Sequence, residues 1–181
     1  MLKIFQDTHH RFRDEIRKLY LDTFSKGPSA QYIDPDELDS EIRLTYQEGM
    51  MMVAVDETVL KGALFVYPLQ YDAYSSPMLR GDANRVNAPY IAELMVHENY
   101  RGIGTGYKLL MKTLTKLQQN RFSEVFIRVW NKNLKALNLY KRTGFQEIGN
   151  ILQTKYFTDR TTKIVMEKVY LRKNILSSED L

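Results

Sequence analysis

The stretch from Pro89 to Asn120, PYIAELMVHENYRGIGTGYKLLMKTLTKLQQN, passes from an apolar run through three glycines in five residues and straight into a leucine stripe. PYIAELMVH predicts a strand, and Leu109, Leu110, Leu114 and Leu117 predict a helix with one buried face. Glycine is a poor helix former, so Gly102, Gly104 and Gly106 at the junction ask for special backbone angles or for close approach of something to the main chain. A turn of small residues at a helix N-terminus points several N–H groups outward at the positive end of the helix dipole, which suits a pyrophosphate. Arg101 adds a cation beside it. The dinucleotide spacing G-x-G-x-x-G fails because Tyr107 stands where the third glycine belongs, and no Gly-Lys-Ser/Thr of a nucleotide-triphosphate loop is present. A plain strand-to-helix turn explains the same glycines, so the choice needs a second signal.

The rest of the chain reads as one α+β unit. Phe12, Ile16, Leu19, Tyr20 and Phe24 fall at helical spacing. A second helix is marked by Asp34 as cap, Pro35 at the first position, Asp36 and Glu37 in the first turn and Gly49 at its stop. MMMVAVDETVLKGALFVYPLQ predicts a hairpin that turns at DET, and residues 70–88 predict a long loop. FSEVFIRVW predicts a strand with Val125, Ile127 and Val129 on one side and Phe126 and Trp130 on the other. NLKALNLYKRTG predicts a short helix closed by Gly144, and two strands joined by TDR follow. The expected domain is 1–171, with a polar tail over 172–181.

With 181 residues, 44% of them hydrophobic and 27% charged, the chain suits a single globular core. The net charge of +4 is scattered, a mild preference for anions and not a nucleic-acid signature. Cysteine is absent and only three histidines occur, which argues against thiolate chemistry and against a metal site. No apolar run has signal-peptide or membrane-span length, so the sequence predicts a cytoplasmic protein with no membrane association.

The second signal is NKNLKALNLYKRTGF. Arg-x-x-Gly-x-Gly at Arg101, Gly104 and Gly106, followed by Asn133, Ala136, Tyr140 and Gly144-Phe145, resembles the GCN5-related N-acetyltransferase (GNAT) superfamily over most of the chain. The resemblance implies a mixed, mostly antiparallel sheet flanked by helices, with the strands PYIAELMVH and SEVFIRVW splayed to form an acyl-CoA cleft. It implies acetyl-CoA as acyl donor. Its pyrophosphate would lie on the turn of Gly102, Ile103, Gly104, Thr105 and Gly106 with Arg101 alongside. Its pantetheine arm would pair with backbone around Leu94, Met95 and Val96, with Asn133 and Ala136 nearby at the start of the short helix.

The implied activity is N-acetylation of a primary amine, on a small molecule or a peptide, by direct attack. A binding module of the same fold, serving as acyl-CoA sensor or partner subunit, is the alternative. Tyr140 matches the family position of the general acid, and its phenol lies close enough to a thiol in acidity to protonate the leaving sulfur. Packing of its ring beside Leu137 is the structural explanation of the same residue. Glu93, set amid Ile91, Ala92, Leu94 and Met95, is the candidate base, and a strand carboxylate facing solvent or a lysine is the other account of it. His97 is a second candidate base at the strand end, and a backbone N–H near Met95 or Val96 would serve the oxyanion. The resemblance assigns the acceptor pocket to the loops within 25–41 and 70–88. Asp34, Asp36, Glu37, Asp39 and Glu41 would attract a cation there, and Tyr71 and Tyr74 would either line an aromatic wall or anchor the loop. The last strand and the tail offer a route to a homodimer.

Overall fold

In the computed structural model, residues 1–27, 30–75, 79 and 85–176 are described. Leu2–Gln6 (β1), Met50–Asp56 (β2), Val59–Pro68 (β3), Pro89–Val96 (β4), Glu124–Trp130 (β5), Gln146–Tyr156 (β6) and Lys163–Asn174 (β7) form one sheet in the order β1-β2-β3-β4-β5-β7-β6. Every neighbouring pair is antiparallel except β4 and β5. Arg13–Phe24 (α1) and Pro35–Glu48 (α2) cover one face, and Thr105–Gln119 (α3) and Leu134–Arg142 (α4) cover the other. This is the mixed, largely antiparallel sheet flanked by helices that the sequence predicts.

Period-two alternation divides the strands between two cores. Met50, Met52 and Ala54 of β2 pack with Leu109, Leu110, Leu114 and Leu117 of α3, while Met51, Val53 and Val55 pack under Ile16, Leu19, Leu38 and Ile42 of α1 and α2. A strand buried on both faces reads as a continuous apolar run, which is why MMMVAV shows no alternation in sequence. No helix among the described residues is long and apolar enough to cross a membrane.

Some expectations shift in detail. Residues 2–6 pair with β2 as an edge strand, where the sequence shows only a short apolar start. The expected boundary at 171 falls inside β7, which runs on to Asn174, and Ile175 is buried in the core. Residues 177–181 of the expected tail, and 76–78 and 80–84 of the expected long loop, lie outside the described residues. The described ends of that loop are tied together, Leu69 N–H to the Ala88 carbonyl and Gln70 N–H to the Val86 carbonyl.

Asp34 caps α2 as expected, its Oδ1 accepting from the N–H groups of Asp36 (2.9 Å) and Glu37 (3.1 Å). Gly49 ends α2 for a steric reason. Its φ of −145° is open to any residue, but a Cβ there would stand 1.9 Å from the Val66 carbonyl oxygen of β3. The chain turns from α2 into β2 so tightly against β3 that no side chain fits. Gly49→Ala should therefore cost about 3 kcal/mol or more in urea denaturation. Gly149→Ala, where a Cβ meets nothing within 4 Å, should change stability little; equal effects would show that the junction relaxes freely.

Candidate active site

The site begins where two strands part. β4 and β5 pair only at Tyr90 opposite Phe126 and Ile91 opposite Ile127. Beyond Ile91 the β3–β4 register skips Ala92, a bulge that bends β4 while Glu93 to Val96 stay paired with β3. β5 meanwhile remains paired with β7 from Glu124 to Trp130. A gap opens between the two strands, as the family resemblance implies.

Backbone groups face this gap. His97 N–H turns toward the Lys61 carbonyl of β3, so by alternation Leu94 and Val96 direct their N–H and C=O the other way, into the gap. Met95 lies between them, paired with Ala63, with its side chain fully buried under α1 and α2. Its backbone thus serves the β3 ladder, and of the three it is Leu94 and the N–H of Val96, whose carbonyl accepts from Arg101, that offer groups to a strand-like ligand.

At the same end, the turn enters α3. Gly102 (φ +79°) and Gly104 (φ +87°) both hold left-handed backbone, which accounts for two of the three glycines. At Gly106 a Cβ would make ordinary contacts with Val96 and Leu139, so what the glycine leaves is bare backbone in the first helical turn. Gly104 is the cap residue and has no side chain to bond the N–H groups behind it, and no acidic residue stands in the first turn. Those N–H groups and the dipole of a 15-residue helix are left to an external anion. Ile103 is 68% exposed on the turn. Arg101 Nε donates to the Val96 carbonyl (2.8 Å), fastening the turn to the strand end. Asn133 caps α4, its Oδ1 accepting from Ala136 N–H (3.3 Å), so both residues sit at the helix start as expected.

Glu93 and Tyr140 approach the gap from opposite faces. Tyr140, on α4, is 5% exposed and packs its ring on Phe145 at 5.9 Å, while its hydroxyl has no hydrogen-bond partner among the described residues. Burial, then the charge of Glu93, raises its pKa, so the phenol keeps its proton. Glu93 lines a cavity of about 80 Å³ on the α1/α2 face. Burial first, and then Glu41, push its pKa up to about 8. Tyr20 Oη of α1 lies 3.5 Å from Glu93 Oε1 and 3.4 Å from Glu41 Oε2, and Tyr67 donates to Glu41 (3.3 Å). Both contacts are longer than an ordinary O–H···O bond, so Tyr20 links the two carboxyls only loosely. Burial raises Glu41 as well.

The other walls of the cavity come from elements that sequence reading left out. Arg128 of β5, Gln153 and Lys155 of β6 and Lys168 of β7 join Tyr20, Phe24 and Gln31. Burial lowers Lys168 to about 8. The hairpin is clasped to the α1–α2 connection, with Tyr32 N–H donating to the Tyr156 carbonyl (2.7 Å) and Arg160 lying 4.4 Å over the Tyr32 ring. The signal was available in principle. Gln153 and Lys155 share a parity with Ile151, and Lys168 sits between Met166 and Tyr170, polar side chains on the inward register of strands.

Of the expected acceptor acids, Glu41 alone reaches the cavity region. Asp34 caps α2, Asp39 pairs with Arg17 (2.9 Å), and Asp36 and Glu37 stand in the first turn. The 70–88 loop acts through Arg128, whose Nη1 donates to Asp72 (3.0 Å) and to the Tyr170 hydroxyl (3.1 Å) and whose guanidinium lies 4.8 Å over Tyr74. Tyr170 also donates to Asp72. Tyr74 is thus an anchor, and Tyr71 is half-exposed. His97 caps the short turn Glu98–Tyr100 and meets the Tyr100 ring edge-on at 5.9 Å, a structural role. Among the described residues no cluster of metal-ligating side chains occurs.

A sequence profile of the acetyltransferase (GNAT) family matches residues 13–145, from α1 to the residue before β6. An N-alpha-acetyltransferase of Sulfurisphaera tokodaii is 33% identical over 64 residues, 35% of this chain and 38% of that protein, so the match spans little more than a third of the relative's length. Among solved structures, ribosomal-protein-alanine N-acetyltransferase from Brucella melitensis superposes with a TM-score of 0.72 at 16% identity, over 95% of this chain and 99% of that one. The NatC complex bound to Gag peptide and CoA contains a chain with a TM-score of 0.65 at 18% identity, over 96% of this chain and 98% of that one.

Glu93 generates a stability prediction. Its pKa rises from an ordinary 4.5 to about 8 on folding, so in that window the folded protein binds more protons than the unfolded chain and stability falls as pH rises. Glu93→Gln removes this loss. The stability of the variant minus that of the wild type, from urea denaturation, should grow between pH 5 and pH 8.5; a constant difference would show that the fold does not hold Glu93 neutral.

Proposed function

The chain belongs to the acetyltransferase (GNAT) family, and from that premise we propose that it transfers the acetyl group of acetyl-CoA to a primary amine of a small molecule or peptide by direct attack, both substrates being held at once. The observation that carries this reading is the opening between β4 and β5 beside the uncapped N-terminus of α3, with Glu93 on one face of the sheet and the buried Tyr140 on the other.

The residues fit a coenzyme A ester. N–H groups of the 102–106 turn and the first turn of α3 hold the pyrophosphate, with Arg101 beside them, and Leu94 and Val96 offer backbone partners to the pantetheine amides. Asn133 and Ala136 border this end from α4. When bound, the ester supplies an activated acetyl thioester. Glu93, in its deprotonated form, accepts the proton of the amine as the new N–C bond forms, and Tyr140 donates its proton to the sulfur as the C–S bond breaks. Glu93 faces Tyr20, Glu41, Tyr67, Tyr90, Arg128, Lys155, Lys168 and Tyr140, and burial outweighs the cations among them, leaving a base poised near neutral pH. The peptide in the NatC complex and the alpha-amine in the name of the archaeal relative make peptide α-amines the first acceptors to try.

Thiol release from acetyl-CoA, read with a thiol reagent, tests the proposal, and a chain without cysteine adds no background. Release should depend on the amine, rise with pH and level off above about 8. Tyr140→Phe should lower kcat by about a hundredfold with little change in CoA affinity. Gly104→Val, forced into left-handed backbone, should weaken CoA binding by about tenfold in calorimetry. Release unaltered in Tyr140→Phe would remove the acid role, and CoA binding without release for any amine would leave an acyl-CoA-binding module.

A further inference from the structure

The cavity beside Glu93 has a charge pattern that a simple amine does not explain. On the inward parity of β6 stand Ile151, Gln153 and Lys155, and on that of β7 stand Met166, Lys168 and Tyr170, with Lys168 opposite both Ile151 and Trp130. Gln31, Gln153, Lys155 and Lys168 all line the cavity. Gln153 and Gln31 are only 3% and 8% exposed, yet neither side-chain amide has a hydrogen-bond partner among the described residues. Neither lysine has an ion pair among them. Both amides belong to well-buried residues, yet their polar atoms stay open to the cavity, where a polar ligand can meet them.

The charges do not cancel within the protein. Arg128 is answered by Asp72, which is 4% exposed and lies 3.0 Å away. Glu93 and Glu41 are both biased toward their neutral forms by burial. Lys168 still carries its charge at neutral pH. Lys155 and Lys168 are thus cavity-wall cations that no carboxylate pairs with among the described residues, and a polycationic acceptor entering the cavity would meet like charge.

Resting on the reading of this cavity as the acceptor site, we propose that the acceptor is a primary amine carrying a carboxylate a few bonds away, its nitrogen beside Glu93 and its carboxylate held by Lys155, Lys168 and the Gln31 and Gln153 amides. The same chemistry is found in a free amino acid and in a polypeptide whose first residue is acidic. Both present an amine and a carboxylate within the span of one residue.

Matched acceptors test it in the thiol-release assay: β-alanine against β-alaninamide, C-terminally amidated tetrapeptides beginning with Asp against the same peptides beginning with Asn, and spermidine as a polycation. In at least one pair the carboxylate member should exceed its amide by roughly tenfold or more in kcat/KM, and the pair that responds tells free amino acid from polypeptide. Lys155→Met should raise KM for that acceptor by about the same factor, with KM for the amide and the affinity for CoA unchanged. Lys168→Met should do likewise, and Lys168→Arg, which keeps the charge if burial of Met disturbs folding, should retain the preference. Equal rates within both pairs, preference for spermidine, or a KM indifferent to Lys155→Met would overturn the inference while leaving acyl transfer intact. CoA binding with no release for any of these amines would overturn the acyltransferase reading, and the inference with it.

Discussion

Everything in the site depends on β4 leaving β5. A continuous sheet would satisfy the backbone of Leu94 and Val96 internally and would separate its two faces completely. The bulge at Ala92 prevents this by adding one residue to β4 against β3, so the ladder on one edge survives while the other edge turns away. Because β5 is held by β7 along its whole length, the opening does not close by drift of β5 toward β4. The sheet behaves as two blades, β1 to β4 and β5-β7-β6, joined at Tyr90 and Ile91.

From that separation follow the electrostatics. Glu93 comes from the strand that bends away and Tyr140 from a helix on the far face, and the charge of Glu93 raises the pKa of the Tyr140 phenol after burial does. Burial, and after it the neighbouring Glu41 carboxyl, favour the neutral form of Glu93. The arrangement lowers stability where the pair is forced to ionise. A carboxyl placed on an apolar strand with this consequence fits the proposed role of Glu93 as base.

Sequence alone carried the helices and the turn well. Asp34, Pro35 and the leucines of α3 are local signals, and left-handed Gly102 and Gly104 are legible because only glycine adopts that backbone freely. It carried the walls of the cavity beside Glu93 poorly. Gln153, Lys155 and Lys168 lie on β6 and β7, remote in sequence from Glu93, and their inward parity points to a cavity only once the pairing of those strands is known. The acids of the α1–α2 region illustrate the converse. They are conspicuous in sequence, but caps and the Arg17 pair account for most of them, and only Glu41 turns inward. β1 and the last residues of β7 were invisible for a related reason, since short strands are defined by their partners.

The central claim is that the gap between β4 and β5 and the bare N-terminus of α3 together hold the acyl donor. Amide hydrogen exchange with and without CoA tests it most directly, because the groups concerned are backbone N–H groups with no partner among the described residues. The account predicts new protection at Leu94, Val96 and the 103–107 turn, with the β3-paired amides of Met95 and His97 unchanged. Binding of CoA with no protection at those positions would place the donor elsewhere and contradict it.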